Sequence, residues 1–152
     1  MKALVVYDSL YGNTKTVAQA VSSAVSGEVE VLHVGEVQVS DLGAYDLLIV
    51  GAPTHGAKPS PAVQDFLDQI QMRALEGKNV AAFDTRMTNR LITLFGTAAP
   101  KIAKALKERG ATQVGKPAGF FVTGGEGPLK EGEIERAVVW ARDLAAESTD
   151  GR

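Results

Sequence analysis

The 152 residues contain no cysteine. That removes thiol nucleophiles, disulfides, thiolate zinc sites and protein-held iron–sulfur clusters together. Any redox chemistry here has to come from a bound group. Histidine is almost as scarce, with two in the chain, His33 and His55. They fall in different segments, one within a strand pattern and one in a loop, and two histidines so placed do not make a metal site. Charge of one sign is also missing: 16 basic against 18 acidic residues leave a net charge of −2, which gives nucleic acid no field to follow. No apolar run is long enough to cross a bilayer. The stretch from Met1 to Tyr7 reaches Asp8 too soon to serve as a signal-peptide core, so the expectation is a cytoplasmic protein with neither a membrane nor a nucleic acid as partner.

What the chain does contain is regular alternation. Ala3 to Tyr7, Val29 to Val34, Leu47 to Ala52, Asn79 to Phe83 and Phe120 to Val122 are short apolar runs. Leu47-Leu48-Ile49-Val50 shows no polar alternation, as expected of a strand covered on both faces. Between the runs lie helical stripes. Val17, Val21, Ala24 and Val25 form one, and Val63, Phe66, Leu67 and Ile70 form another, opened by Ser60-Pro61. Ile102, Ala103 and Leu106 stop at Arg109-Gly110, and Ile134, Val138, Ala141, Leu144 and Ala145 make a last helix. Strand and helix alternate throughout. The fold class this predicts is α/β, a doubly wound five-stranded parallel sheet with right-handed crossovers. It forms one domain over residues 1–146, with 147–152 as a frayed tail.

In such sheets ligands bind beyond the carboxyl ends of the strands, where the winding reverses. The loop Asp8-Ser9-Leu10-Tyr11-Gly12-Asn13-Thr14 after the first strand runs straight into a helix. A helix start offers unpaired N–H groups and partial positive charge, Gly12 permits close backbone approach, and Ser9, Asn13 and Thr14 add side-chain donors. The same residues also suit a plain capped helix. Two commoner phosphate loops are excluded: Thr14 stands where a P-loop needs glycine before Lys15-Thr16, and no G-x-G-x-x-G follows the strand.

Ser9-Leu10-Tyr11-Gly12-Asn13-Thr14, placed between strand one and helix one, resembles the phosphate loop of the flavodoxins. Gly51-Ala52-Pro53-Thr54-His55-Gly56 after strand three resembles that family's second flavin loop, and Phe83-Asp84-Thr85-Arg86 through Phe95-Gly96-Thr97-Ala98-Ala99 its third. The resemblance covers the whole chain. It implies a short-chain flavodoxin-like fold with strand order 2-1-3-4-5, non-covalent FMN, and electron transfer between a reductase and acceptor proteins as redox partners. By matched position it implies cofactor contacts from Ser9, Leu10, Tyr11, Gly12, Asn13 and Thr14 at the phosphate. Pro53, Thr54, His55 and Gly56, and Asp84, Thr85 and Arg86, would then lie beside the ring. Tyr11 departs from the threonine or serine usual there. The aromatic pair that commonly sandwiches the flavin is missing, leaving His55, Met87, Leu91 or Phe95 to cover it.

Three further readings concern the surroundings of that site. Asn89 to Phe95 is apolar enough to form a lid, or equally a short helix or core plug. Gly124 to Gly132 flanks the cofactor edge, docks a partner or serves only as a connector, and Trp140 is placed in core or half-buried packing on the last helix. His55, Lys58, Arg86 and Arg90 outnumber Asp84 in the two ring loops, which predicts a second reduction less costly than in acidic flavodoxins. Two competing functions stay in view: an FMN-dependent NAD(P)H:quinone reductase, and a relative that binds no flavin. A response-regulator receiver would need an aspartate at the end of strand three, where Gly51-Ala52 stands.

Overall fold

The computed structural model describes residues 1–88 and 96–150. Strand β1 (Lys2–Tyr7) leads through the first loop into helix α1 (Asn13–Ala24), then β2 (Glu28–His33). Two 3₁₀ segments, Val34–Glu36 and Val39–Ala44, precede β3 (Leu47–His55), β4 (Lys58–Pro59) and α2 (Pro61–Gln69). Then come β5 (Asn79–Met87), α3 (Ala98–Glu108), β6 (Thr112–Gln113), β7 (Ala118–Val122) and α4 (Glu133–Asp150).

The sheet runs β2-β1-β3-β5, with β6 and β7 both on the outer side of β5. β6 pairs with Asn79 and Val80, whereas β7 pairs with Phe83 to Met87. They are successive parts of one interrupted fifth strand, so the order is the expected 2-1-3-4-5. These pairings are parallel; β4 alone turns back antiparallel on the end of β3.

Side-chain alternation divides the strands between two cores. Leu4 and Val6 of β1, Leu48 and Val50 of β3 and Val80 and Ala82 of β5 face a core closed by Val63, Phe66 and Leu67 of α2 and Ile102 and Leu106 of α3. Ala3, Val5, Leu47, Ile49, Ala81 and Phe83 face the other side, against Val17 and Val21 of α1 and Ala141 and Leu144 of α4. This explains the unbroken apolar runs: a sheet covered on both faces has no polar side.

Two expectations need correction at the C-terminal helix. Ile134 is exposed, and the buried face is Ala137, Ala141, Leu144, Ala145 and Ser148, because Glu133 and not an apolar residue fastens the first turn. The helix also continues through Asp150, past the expected start of a tail at Glu147. Glu147 accepts the N–H of Gly115 at 2.7 Å, and the buried Ser148 hydroxyl donates to the Leu144 carbonyl at 2.9 Å.

Glu133 accepts the Phe121 N–H of β7 at 2.7 Å and takes Arg136 at 2.6 Å; Arg136 lies 4.6 Å from the Phe120 ring centre. Hydrogen bonding from Arg136 leads the effects that hold the Glu133 carboxyl below its usual range, with burial opposing. A carboxylate with a lowered folded pKa stabilises the protein above its ordinary pKa, and that contribution is lost as pH falls from there through the lowered folded value. Glu133→Gln should therefore flatten the acid limb of stability from the ordinary carboxylate range downward, measured by urea unfolding at each pH.

Gly51 faces Phe83 across the β3–β5 ladder, and a Cβ there would sit 2.1 Å from the phenyl ring. Gly51→Ala should cost about 1–3 kcal/mol by overpacking, read from the urea midpoint.

Candidate functional site

At the carboxyl ends of β1, β3, β5 and β7 the loops border a cavity of about 300 Å³. Ser9, Leu10, Tyr11, Asn13 and Thr14 of the first loop line it. So do Pro53, Thr54, His55 and Gly56 of the second and Thr85 and Arg86 of the third. Gly12 and Asp84 are not among the lining residues: Gly12 is exposed and Asp84 is fully buried. Met87, Val122 and Gly125 complete the lining. Val122 is the addition: a strand end carries no chemical signature, and the pairing of β7 with β5 brings it here, while Gly125 falls in the Gly124 to Gly132 segment expected at the cofactor edge.

The first loop is shaped to leave a helix start open. Gly12 precedes α1 with φ of 90°, a left-handed conformation that glycine adopts at little cost. No side chain caps α1 at this position, and no acid occupies its first turn. The opening N–H groups of a helix lack intrahelical acceptors and carry partial positive charge. With space beyond Gly12, where a Cβ would meet nothing within 4 Å, the donors fit a phosphate.

Neighbours hold this loop from several sides. The Gly12 N–H donates to Ser9 Oγ at 3.0 Å, and Asp8 Oδ1 accepts the Ser9 N–H at 3.0 Å. His33 Nε2 lies 3.2 Å from the same oxygen, while its Nδ1 accepts the Gly35 N–H at 3.0 Å. The second contact places the ring proton on Nε2, so His33 donates to Asp8 and braces the loop. Among the described residues no group of three His, Cys, Asp or Glu side chains gathers as a metal site. Asn13 Nδ2 donates to the Glu126 carbonyl at 3.2 Å, and Thr14 Oγ1 is 2.8 Å from Thr85 Oγ1. The Gly124 to Gly132 segment is thus more than a connector.

Asp84 is fully buried, and Arg86 grips it by both oxygens, at 2.6 and 2.7 Å. Asp84 Oδ2 also accepts the Ala99 N–H at 2.7 Å, so it caps α3 from a neighbouring strand. The Thr54 hydroxyl bonds to Asp84 and accepts the Ala98 N–H at 3.1 Å. Burial pushes the Asp84 carboxyl above its usual range, against the opposing pull of Arg86, the Ala99 N–H and Thr54.

This pairing corrects the expected cationic balance. Arg86 spends its charge on Asp84, Lys58 lines a separate groove between α2 and α3, and Arg90 lies outside the described residues. The premise of a net positive ring environment does not hold for Arg86 and Lys58. The lid assigned to Asn89–Phe95, with Leu91 and Phe95 as ring covers, also lies outside the described residues. Among the described side chains, His55, Met87, Leu10 and the exposed Tyr11 border the cavity. Trp140 does not: it packs edge-on against Phe83 and Phe120, each at 6.0 Å.

Arg86→Gln should leave Asp84 buried without its partner and cost roughly 3 kcal/mol in urea unfolding, with Asp84→Asn in the same background recovering part of the loss.

The flavodoxin domain family model matches residues 4–131. The chain is 34% identical to a flavodoxin of Maridesulfovibrio salexigens, over 75% of this chain and 82% of that one. It is 32% identical to an NAD(P)H dehydrogenase (quinone) of Methylocella silvestris, over 86% of this chain and 76% of that one. Among solved structures, oxidised Flavodoxin 2 from Bacillus cereus superposes with a TM-score of 0.84 at 26% identity, covering 97% of this chain and 99% of the other. A flavodoxin from the domain Archaea gives 0.82 at 25%, with 98% and 99% covered. FMN is the cofactor of this family and flavin-based electron transfer its role. With three loops meeting at one cavity in a 2-1-3-4-5 sheet and a family model that matches residues 4–131, the chain belongs to the flavodoxin domain family.

Proposed function

We propose that this chain is an FMN-dependent electron carrier that passes electrons from a reductase to acceptor proteins. The observation that supports it most is the uncapped start of α1 opening on a cavity that the two other loops wall. When bound, FMN supplies the one- and two-electron chemistry that a chain without cysteine lacks. The opening N–H groups of α1, with Ser9, Asn13 and Thr14, hold the phosphate. Pro53 to Gly56 and Thr85 to Met87 exclude water from the ring and position it. Asp84 acts behind the wall by fixing Arg86 and the start of α3. Leu10 and Tyr11 are each 59% exposed at the cavity rim, leaving an apolar margin for a redox partner.

A place in the cytoplasm belongs to the same proposal; no helix among the described residues is long and apolar enough to cross a membrane. One observation favours a second reading, an FMN-dependent NAD(P)H:quinone reductase: the extended match to a quinone dehydrogenase. Tyr11, the apolar rim and the near-neutral cavity wall accommodate a flat neutral acceptor as readily as a protein.

The purified chain, incubated with FMN and desalted, should be yellow and should not oxidise NADPH with a quinone. Turnover would establish the reductase reading instead. A colourless product that takes up no FMN would overturn both and leave the flavin-free relative.

A further inference from the structure

Thr14 and Thr85 come from α1 and β5, 71 positions apart, and their hydroxyl oxygens lie 2.8 Å from each other. Both residues are buried, at 1% and 6% exposure, and both line the cavity wall. Among the described residues neither hydroxyl has another partner.

A hydroxyl carries one proton and two lone pairs. When two of them bond only to each other, one proton lies between the oxygens and one remains to be donated elsewhere. The protein does not decide which oxygen keeps it: either threonine can be the donor. A ligand does. An anionic acceptor at the start of α1 draws the free proton to Thr14, and Thr85 must then donate to Thr14 Oγ1. An acceptor beside β5 draws it to Thr85 and reverses the pair.

We infer that Thr85 is a positioning residue for the phosphate end of the cofactor. It does not touch the phosphate; by donating to Thr14 it fixes the Thr14 hydroxyl with its proton toward the anion. The alternative orientation would leave a lone pair facing negative charge. A donor that already accepts a hydrogen bond is also more polarised, so the contact to phosphate strengthens. The inference rests on the FMN reading above and gives a third-loop residue a role at the opposite end of the ligand.

The two ends can be separated because riboflavin shares the ring and ribityl chain of FMN but has no phosphate. Apoprotein is titrated with FMN and with riboflavin, and the ratio of the two dissociation constants is compared among variants. A Thr85 that merely shapes the ring end changes both affinities alike and leaves the ratio where it was. Acting through Thr14, Thr85→Val should cut the preference for FMN by roughly threefold to tenfold, the range of one neutral hydrogen bond. Thr85→Ser should restore it. In a Thr14→Val background, Thr85→Val should have no further effect on the ratio. Where Thr85→Val does not fold, Thr85→Ala gives the same comparison.

An unchanged ratio in Thr85→Val overturns the inference while wild-type binding of FMN keeps the cofactor reading intact. So does a double variant in which the two losses multiply, since the residues would then act separately. Wild-type apoprotein that binds neither flavin overturns the cofactor reading itself.

Discussion

A carboxylate that water cannot reach has to be met by donors from the protein, and Asp84 is such a group. Its oxygens take the fork of Arg86, the N–H of Ala99 and the hydroxyl of Thr54. Those partners come from β5 itself, from the first turn of α3 and from the end of β3. One buried charge therefore fixes the second and third loops relative to each other and closes the N-terminus of a helix that would otherwise present unpaired donors. The two helix starts near the cavity are treated in opposite ways. The start of α3 is capped by the Asp84 side chain, and that of α1 has no side-chain cap.

The consequence for the cavity is electrical neutrality achieved by pairing. Arg86 reaches the cavity wall with its charge already matched, and no acid occupies the opening turn of α1. The polar groups of the first loop are held by contacts with segments remote in sequence. Asp8 and His33 steady the entry to the loop, the Glu126 carbonyl holds Asn13, and Thr85 meets Thr14.

Much of this was legible in the residues. Apolar runs without alternation required a sheet covered on both faces, and Asp8 to Thr14 before a helical stripe marked a loop at the carboxyl end of β1, where the cavity lies. The features that escaped depend on pairing in space. Counting charges along the third loop cannot show that Arg86 and Asp84 cancel, since that depends on both side chains leaving one strand on the same side. The two-residue β6 leaves no mark because it is too short for periodicity to register, whereas β7 shows in the run Phe120 to Val122. The last helix was read with Ile134 on its inner face, whereas the small Ala137 is buried there beside Ala141. Val122 entered the cavity wall through strand pairing.

Trp140 is the only tryptophan in the chain. Its indole N–H donates to the Lys116 carbonyl at 3.0 Å, just where the fifth strand is interrupted, while its ring rests on Phe83 and Phe120. The molecule thus carries a single indole reporter, seated at the seam between the outer sheet edge and the last helix. Its emission isolates the integrity of that seam, with no second indole to blur the signal.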